Sequence, residues 1–199
     1  MKYGLAAPVP ARIIRHTPHL DGAGAPPSTT NFAGGGGSVK VGNRQARLIK
    51  ARTAPNAQTR FLDLGAGIGR LAVALQHEFR RSPHDDGLEI VRFGTEWCRR
   101  RLALLFHHTD LFNSFSNPFG RIDPEDYAFP FVKGSFDLIF ATSVLARLDT
   151  DTIKHYLAEA ARCLATGGTF YFTYYRMRDA LCPNATDSFH HSLVRMGAK

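Results

Sequence analysis

The stretch Phe61-Leu62-Asp63-Leu64-Gly65-Ala66-Gly67-Ile68-Gly69-Arg70 decides the fold of this chain. A short apolar run ends in an acid and a cluster of glycines, and apolar residues then recur at helical spacing from Leu71 to Phe79. This pattern predicts a strand, a tight turn and a helix with one buried face. In parallel sheets such turns lie where ligands bind, at the carboxyl ends of the strands.

The spacing of the glycines distinguishes between ligand classes. Dinucleotide sites use G-x-G-x-x-G, whereas Gly65, Gly67 and Gly69 are one residue tighter and Arg70 takes the place of the third glycine. Asp63 precedes the turn, and a carboxylate there repels a pyrophosphate but suits an ammonium group. The pattern favours S-adenosylmethionine over a nicotinamide cofactor, and a turn that binds no ligand is the structural alternative.

Further strands and helices alternate along the chain. The runs Leu88–Phe93, Phe136–Ala141 and Thr169–Tyr175 have the composition of strands. Apolar residues from Ile153 to Leu164 predict a helix, which we expect Gly167 and Gly168 to stop. Strands alternating with helices predict an α/β fold with a mostly parallel sheet flanked by helices.

Composition divides the chain into two parts. Residues 1–44 are rich in proline and glycine, including the run Gly34–Gly37, and contain few large apolar side chains. We interpret this segment as a flexible arm because it cannot bury much surface. Residues 45–199 are then the folded domain, beginning with a short helix from Gln45.

The overall composition is that of a globular protein. Of the 199 residues, 44% are hydrophobic and 21% charged, and no run approaches the ~20 apolar residues of a membrane helix. No signal-peptide pattern is visible at the N-terminus. The three cysteines, Cys98, Cys163 and Cys182, lack metal-site spacing, which predicts reduced thiols, no metal centre and a cytoplasmic protein without membrane attachment.

The net charge of +8 leaves a nucleic-acid partner open. However, the basic residues are scattered, and the one tight cluster, Arg99 to Arg101, points in different directions on a helix. A solvated basic surface is the favoured interpretation. No nucleic-acid-binding motif accompanies the charge.

Several segments in the second half of the chain share an order with a known family. With the glycine turn, residues 60–176 resemble class I S-adenosylmethionine-dependent methyltransferases. The resemblance implies a Rossmann-like, doubly wound sheet and S-adenosylmethionine as the cofactor. It is carried by Glu96-Trp97-Cys98, Asn117-Pro118-Phe119-Gly120-Arg121-Ile122, Phe129-Pro130-Phe131, Ser135-Phe136-Asp137-Leu138-Ile139-Phe140, Thr142-Ser143-Val144-Leu145 and the run from Tyr156 to Gly168.

The resemblance also implies which residues bind the cofactor. Asp110 and Leu111 stand where the family places an acid and an apolar residue beside the adenine. The strand ending at Ala141 and Ser143 would pass beneath the sulfonium. The methionine and ribose side would be formed by Asp63, Gly65, Ala66, Gly67 and Gly69.

Two departures from the family pattern stand out. The acid that usually ends the second strand and holds the ribose is expected to be missing, with Glu96 as the nearby substitute. Few residues follow Tyr175, so we expect the C-terminal strand pair to be incomplete, with one helix and a poor strand between Met177 and Lys199. Both features are typical of a shortened or degenerate member.

No catalytic residue can be assigned from the sequence, because methyl transfer from a sulfonium mainly requires alignment. The family often has a histidine where this chain has Arg147. We expect the chain to methylate a small molecule. The alternatives are methylation of RNA or another macromolecule and a non-catalytic binding or regulatory role. Assembly as a homo-oligomer or pairing with a homologue is left open. The candidates near the expected mouth of the site are Arg147, Tyr174, Tyr175, His190 and His191.

Overall fold

The computed structural model describes residues 38–79, 85–102, 105–176 and 188–195. Helices and strands alternate through most of this span, as the sequence predicts. In chain order, the elements are α1 Ser38–Thr53, β1 Phe61–Leu64, α2 Arg70–Phe79, β2 Asp86–Glu89, α3 Arg92–Arg101, β3 Leu105–His108, β4 Phe136–Ala141, α4 Thr150–Cys163, β5 Leu164–Arg176 and β6 Ser188–Arg195.

The strands form one sheet in the order β3-β2-β1-β4-β5-β6. Every neighbouring pair is parallel except β5 and β6, which run antiparallel. The predicted α/β, Rossmann-like fold is therefore confirmed. The strand order reverses between β1 and β4, and this reversal opens a crevice at their carboxyl ends.

Alternation along the central strands separates two layers of core. Phe61 and Phe140 face Ile49 of α1 and Leu75 of α2. The intervening residues, such as Leu62 and Ile139, face the opposite layer, where Tyr156 and Ala160 of α4 pack. Helices therefore cover both faces of the sheet, which explains why β1 is buried along its whole length.

The second strand lies earlier in the chain than the sequence pattern predicts. It ends at Glu89, and α3 begins at Arg92, so the predicted strand Leu88–Phe93 was wrong at both ends. Val91 is extended, with φ −87° and ψ 107°, but it is the N-cap of α3. The β-branched pair Ile90-Val91 therefore belongs to the connection and not to the strand.

Other boundaries also differ from expectation. The strand β3 was not predicted, because Leu105–His108 is short and contains two histidines. The helix α4 ends at Cys163 and leads directly into β5, so Gly167 and Gly168 lie in a strand and do not stop the helix.

The ends of the chain bear on two further predictions. The domain boundary predicted after residue 44 falls inside α1, and residues 1–37 lie outside the described residues. The predicted C-terminal helix also falls partly outside them, whereas Ser188–Arg195 forms one strand of the expected pair. Within the described ranges, no helix has the length and hydrophobicity needed to span a membrane.

Candidate active site

A cavity of about 1020 Å³, counting its open mouth, lies at the carboxyl ends of β1, β2 and β4. Four segments form most of its lining: the glycine turn after β1, the end of β2, the segment after β3 and the segment after β4. The cavity coincides with the crevice made by the reversal of strand order.

The glycine turn forms the floor of this cavity. The backbone N–H groups of Gly65 and Ala66 both donate to the carbonyl of Leu88, at 2.9 and 3.0 Å, which ties the turn to β2. Gly65 has a φ of +71°, and a Cβ there would overlap Val144 Cγ2. Glycine is required here because the turn adopts left-handed backbone and the segment after β4 lies directly against it.

Not every glycine of the motif faces the cavity. Gly65 and Gly67 line it together with Ala66. Gly69 does not, because its missing Cβ leaves room for Leu102 and Cys98 on the opposite side. The tight spacing therefore combines two ligand-facing glycines with one that allows α2 and α3 to pack.

Asp63, the penultimate residue of β1, contributes a buried carboxylate to the cavity. Only 4% of the residue is exposed. Burial raises its pKa well above the usual value, the nearby charge of Glu89 raises it further, and Arg70 opposes the shift. A bound cation would stabilise the ionised form of this carboxylate.

Glu89 supplies a second buried carboxylate at the end of β2, and only 4% of it is exposed. Its Oε2 accepts the N–H of Gly67 at 2.5 Å, and its Oε1 accepts the N–H of Val91 at 2.7 Å. Burial raises the pKa of Glu89, and these backbone hydrogen bonds lower it in part. The expectation that the second strand lacks a terminal acid was therefore wrong.

Glu96 does not reach the cavity. It lies on α3, its side chain is 49% exposed, and its carboxylate is 3.8 Å from the guanidinium of Arg100. The prediction of Glu96 as the substitute acid was wrong, because the sequence pattern places the end of β2 too late in the chain. Reading Glu89 as the last residue of the strand would have found the acid.

The predicted pair Asp110 and Leu111 is divided between two roles. Leu111 is buried and lines the cavity, whereas Asp110 does not line it. The carboxylate of Asp110 accepts a hydrogen bond from Arg121 Nε at 2.6 Å, which lowers the pKa of Asp110. The carbonyl of Asp110 also accepts the N–H groups of Arg121 and Ile122, at 2.9 and 3.0 Å. Asp110 thus closes the loop that forms one rim of the cavity.

The end of β4 brings Ser143 to the cavity, whereas Ala141 is fully buried within the strand and does not line it. Ser143 has a φ of +62°, a left-handed conformation that is unfavourable for a residue with a side chain. Its N–H donates to Thr173 Oγ1 at 2.7 Å, and Thr173 is fully buried in β5. This hydrogen bond helps to hold the unfavourable backbone in place.

A family model for a methyltransferase domain matches residues 41–196. The chain belongs to this methyltransferase-domain family. The match begins inside α1 and extends beyond β6, so it includes the whole sheet and all four lining segments of the cavity.

Solved structures with the same fold include two described as methyltransferases and one described as a cyclase. A proposed S-adenosyl-L-methionine-dependent methyltransferase from Methanococcus maripaludis is 19% identical, covers 74% of this chain and has a TM-score of 0.53. The [4+2]-cyclase SpnF is 21% identical over 71% of this chain, with a TM-score of 0.53. Geranyl diphosphate C-methyltransferase from Streptomyces coelicolor A3(2) is 16% identical over 66%, with a TM-score of 0.51.

This chain spans 58%, 47% and 44% of the lengths of those three proteins, respectively. Identities this low establish the shared fold alone. The inclusion of a cyclase shows that one fold supports more than one chemistry, so the activity must be argued from the site.

Among the residues considered for catalysis in this methyltransferase domain, Arg147 lines the cavity. Tyr174 lies on β5, 37% exposed and 6.2 Å from the ring of Phe172, and does not line it. The side chains of Tyr175, His190 and His191 lie outside the described part of the structure.

Sequence reasoning missed an aromatic wall, defined here as Tyr127, Phe129 and Tyr156, which lines the cavity. The rings of Phe129 and Tyr156 meet edge to face with centroids 5.3 Å apart. The N–H of Phe129 donates to Glu159 Oε2 at 2.6 Å, which anchors the loop on α4. Phe129 belongs to a segment that carries the family resemblance, but no sequence pattern provided a reason to place it in the site, and periodicity offered no signal for the two tyrosines.

Proposed function

We propose that this methyltransferase domain binds S-adenosylmethionine in the cavity and transfers its methyl group to a small-molecule acceptor. The observation that carries the proposal is the pair of buried carboxylates, Asp63 and Glu89, on adjacent strands beside the glycine turn. Each costs free energy to bury without a partner, so both favour a ligand that is cationic or rich in hydrogen-bond donors.

The chemistry of S-adenosylmethionine fits this donor set. Its ammonium and sulfonium groups are cationic, which suits the charge of Asp63. Its ribose presents two hydroxyl donors. A carboxylate has about four lone-pair positions, and Glu89 uses two of them for the N–H groups of Gly67 and Val91. Glu89 therefore keeps acceptor capacity for the ribose, whereas a pyrophosphate would be repelled by both acids.

The chain's own contribution to catalysis is alignment and exclusion of water. When bound, S-adenosylmethionine supplies a methyl group on a good leaving group, a sulfonium. Ser143 and Val144 follow β4, lie against the glycine turn and fix one side of the reaction space. The aromatic wall closes another side and keeps water from the reacting atoms. No residue is assigned as a general base, since a base is needed only where the acceptor must lose a proton.

The first experiment is calorimetric titration of the purified chain with S-adenosylmethionine and S-adenosylhomocysteine. Binding should be micromolar and should weaken about ten- to a hundredfold in Glu89→Gln, because a charge-assisted hydrogen bond is lost. Glu96→Gln is the matched control and should bind like the wild type, since its side chain does not line the cavity. Thermal melting verifies that both variants are folded.

Two results would contradict the assignment of the site. One is the absence of binding by a folded wild-type chain, which would favour the non-catalytic alternative. The other is a loss of cofactor affinity in Glu96→Gln as large as the loss in Glu89→Gln.

The choice between a small molecule and RNA requires a second assay. Methyl-labelled cofactor is incubated with a panel of small carboxylic acids, phosphates, amines and phenols, and separately with total RNA. Label in small molecules supports the proposal. Label in RNA that falls steeply between about 50 and 200 mM salt supports the alternative motivated by the net charge of +8.

A further inference from the structure

The buried acids of the cavity and its exposed arginine lie at the ends of different strands. The two acids, Asp63 and Glu89, are buried at the ends of β1 and β2. Arg147 lies in the short 3-10 turn Leu145–Arg147 after β4 and is exposed to solvent while lining the same cavity. Among the residues that the structure describes, Arg147 forms no ion pair.

An aromatic ring holds the guanidinium of Arg147 at the rim. The guanidinium carbon lies 5.2 Å from the centroid of Phe115, a cation–π geometry. Phe115 is itself 79% exposed, and its N–H donates to Asn113 Oδ1 at 3.1 Å. Asn113 also lines the cavity, so the platform beneath Arg147 is built from the wall of the site.

The cavity has a second arginine, Arg70, which is half-buried beside Asp63. Arg147 is therefore the arginine that a ligand at the rim can reach. Arg70 lies deeper in the cavity, where the charge of Asp63 stabilises it. Burial lowers the pKa of Arg70, and repulsion from Arg147 lowers it further. Arg147 thus places a positive charge at the rim, where the two buried acids do not neutralise it. An anion bound to Arg147 would weaken the repulsion between Arg147 and Arg70.

We propose that Arg147 binds an anionic group, a carboxylate or a phosphate, on the methyl acceptor, whose apolar part packs against the aromatic wall. This inference rests on the proposed function, because it concerns the second substrate of the same site. The planar guanidinium can pair with either anion through two parallel hydrogen bonds. Arg147 is then a specificity-determining residue that selects acidic acceptors.

The test uses the full chain saturated with S-adenosylhomocysteine and measures calorimetric binding of three probes. Phenylacetate and phenyl phosphate carry the anion on an aromatic body, and phenylacetamide is the neutral analogue of the first. We expect the acids to bind about tenfold more tightly than the amide, as one charge-assisted contact would give. The tighter of the two acids identifies the anionic group.

Variants assign the preference to the residue. Arg147→Gln should remove the preference for the acids, and Arg147→Lys should retain part of it. Arg100→Gln is the matched control, because Arg100 is exposed on α3 beside Glu96 and does not line the cavity. Each variant is saturated with S-adenosylhomocysteine before the probes are added. A loss of S-adenosylhomocysteine affinity in Arg147→Gln but not in Arg100→Gln would assign Arg147 to the carboxylate of the cofactor and overturn its role toward the acceptor.

The outcomes separate this inference from the proposed function. Equal binding of acid and amide by the loaded wild type, no binding of either acid, or an acid preference that survives in Arg147→Gln would overturn the role of Arg147. Failure of S-adenosylhomocysteine to bind at all would instead overturn the proposed function.

Discussion

The two sides of the cavity differ in how deeply their charged residues are buried and in how the backbone beside them is held. On the β1–β2 side, Asp63 and Glu89 are buried, and backbone hydrogen bonds fix the second of them. On the β4 side, Arg147 is exposed, and Ser143 holds an unfavourable backbone conformation. A buried carboxylate tolerates little change because its partners are fixed, whereas an exposed arginine can be replaced at low cost to stability. The β1–β2 side therefore suits a constant ligand, the cofactor, and the β4 side suits a variable ligand, the acceptor.

The largest expected effect comes from forcing the two sides apart with Gly65→Ala. The new Cβ would overlap Val144, and alanine is strained at a φ of +71°. We expect the free energy of unfolding to fall by about 2–5 kcal/mol, the sum of backbone strain and overpacking. Cofactor binding should be lost as well. Denaturant unfolding and calorimetry measure the two effects.

Gly167→Ala is the control for Gly65→Ala. Gly167 has a φ of +79°, but a Cβ there would meet no atom within 4 Å. Only backbone strain of about 1–2 kcal/mol should appear, with cofactor binding unchanged. If both variants lost the same free energy of unfolding, the contact between Gly65 and Val144 would contribute nothing to stability.

The β1–β2 side was more readable in the sequence than the β4 side. The run from Phe61 to Gly69 combines an apolar strand, an acid and three glycines, and each of these reports a local backbone requirement. Glu89 was missed because Leu88 to Phe93 has the β-branched composition of a longer strand, although tertiary pairing ends β2 at Glu89. Propensity could not locate that end, since pairing with β1 and β3 determines it.

The β4 side depends on contacts between segments distant in the chain. Phe115 beneath Arg147 and Phe129 against Tyr156 are such contacts, and no periodicity in the sequence reports them. Asp110 was expected beside the ligand, but it is drawn to Arg121, eleven residues further along. Sequence patterns therefore identified the family and the fold, while the exposed rim needed the structure.

The ionisation of Asp63 should give a smaller effect, a dependence of the free energy of unfolding on pH. Because its native pKa is raised by burial, the native state keeps a proton to higher pH than the unfolded chain. Stability should therefore fall as pH rises from about 3.9, the unfolded value, through the native pKa. Asp63→Asn should be increasingly more stable than the wild type across that window.

Cofactor affinity should show the opposite dependence on pH. If ionised Asp63 pairs with a cationic group of the ligand, wild-type affinity should rise with pH over the same window, and Asp63→Asn should show a weaker rise. Glu89 also has a raised pKa, so some slope should remain in the variant. Calorimetry from about pH 4 to about pH 8 measures this. A pH-independent affinity in the wild type would remove Asp63 from the site.

The smallest expected effect comes from relieving the strain at Ser143. Ser143→Gly should raise the free energy of unfolding by about 1 kcal/mol or less, since glycine accepts a φ of +62° but loses more entropy on folding. Ala54→Gly, at a φ of +44° outside the cavity, should give a similar gain. The variants should differ in function, because Ser143 lines the cavity and Ala54 does not. A several-fold loss of cofactor affinity confined to Ser143→Gly would mean that the strained backbone places a ligand contact, whereas equal affinity in both would reduce Ser143 to a turn residue held by Thr173.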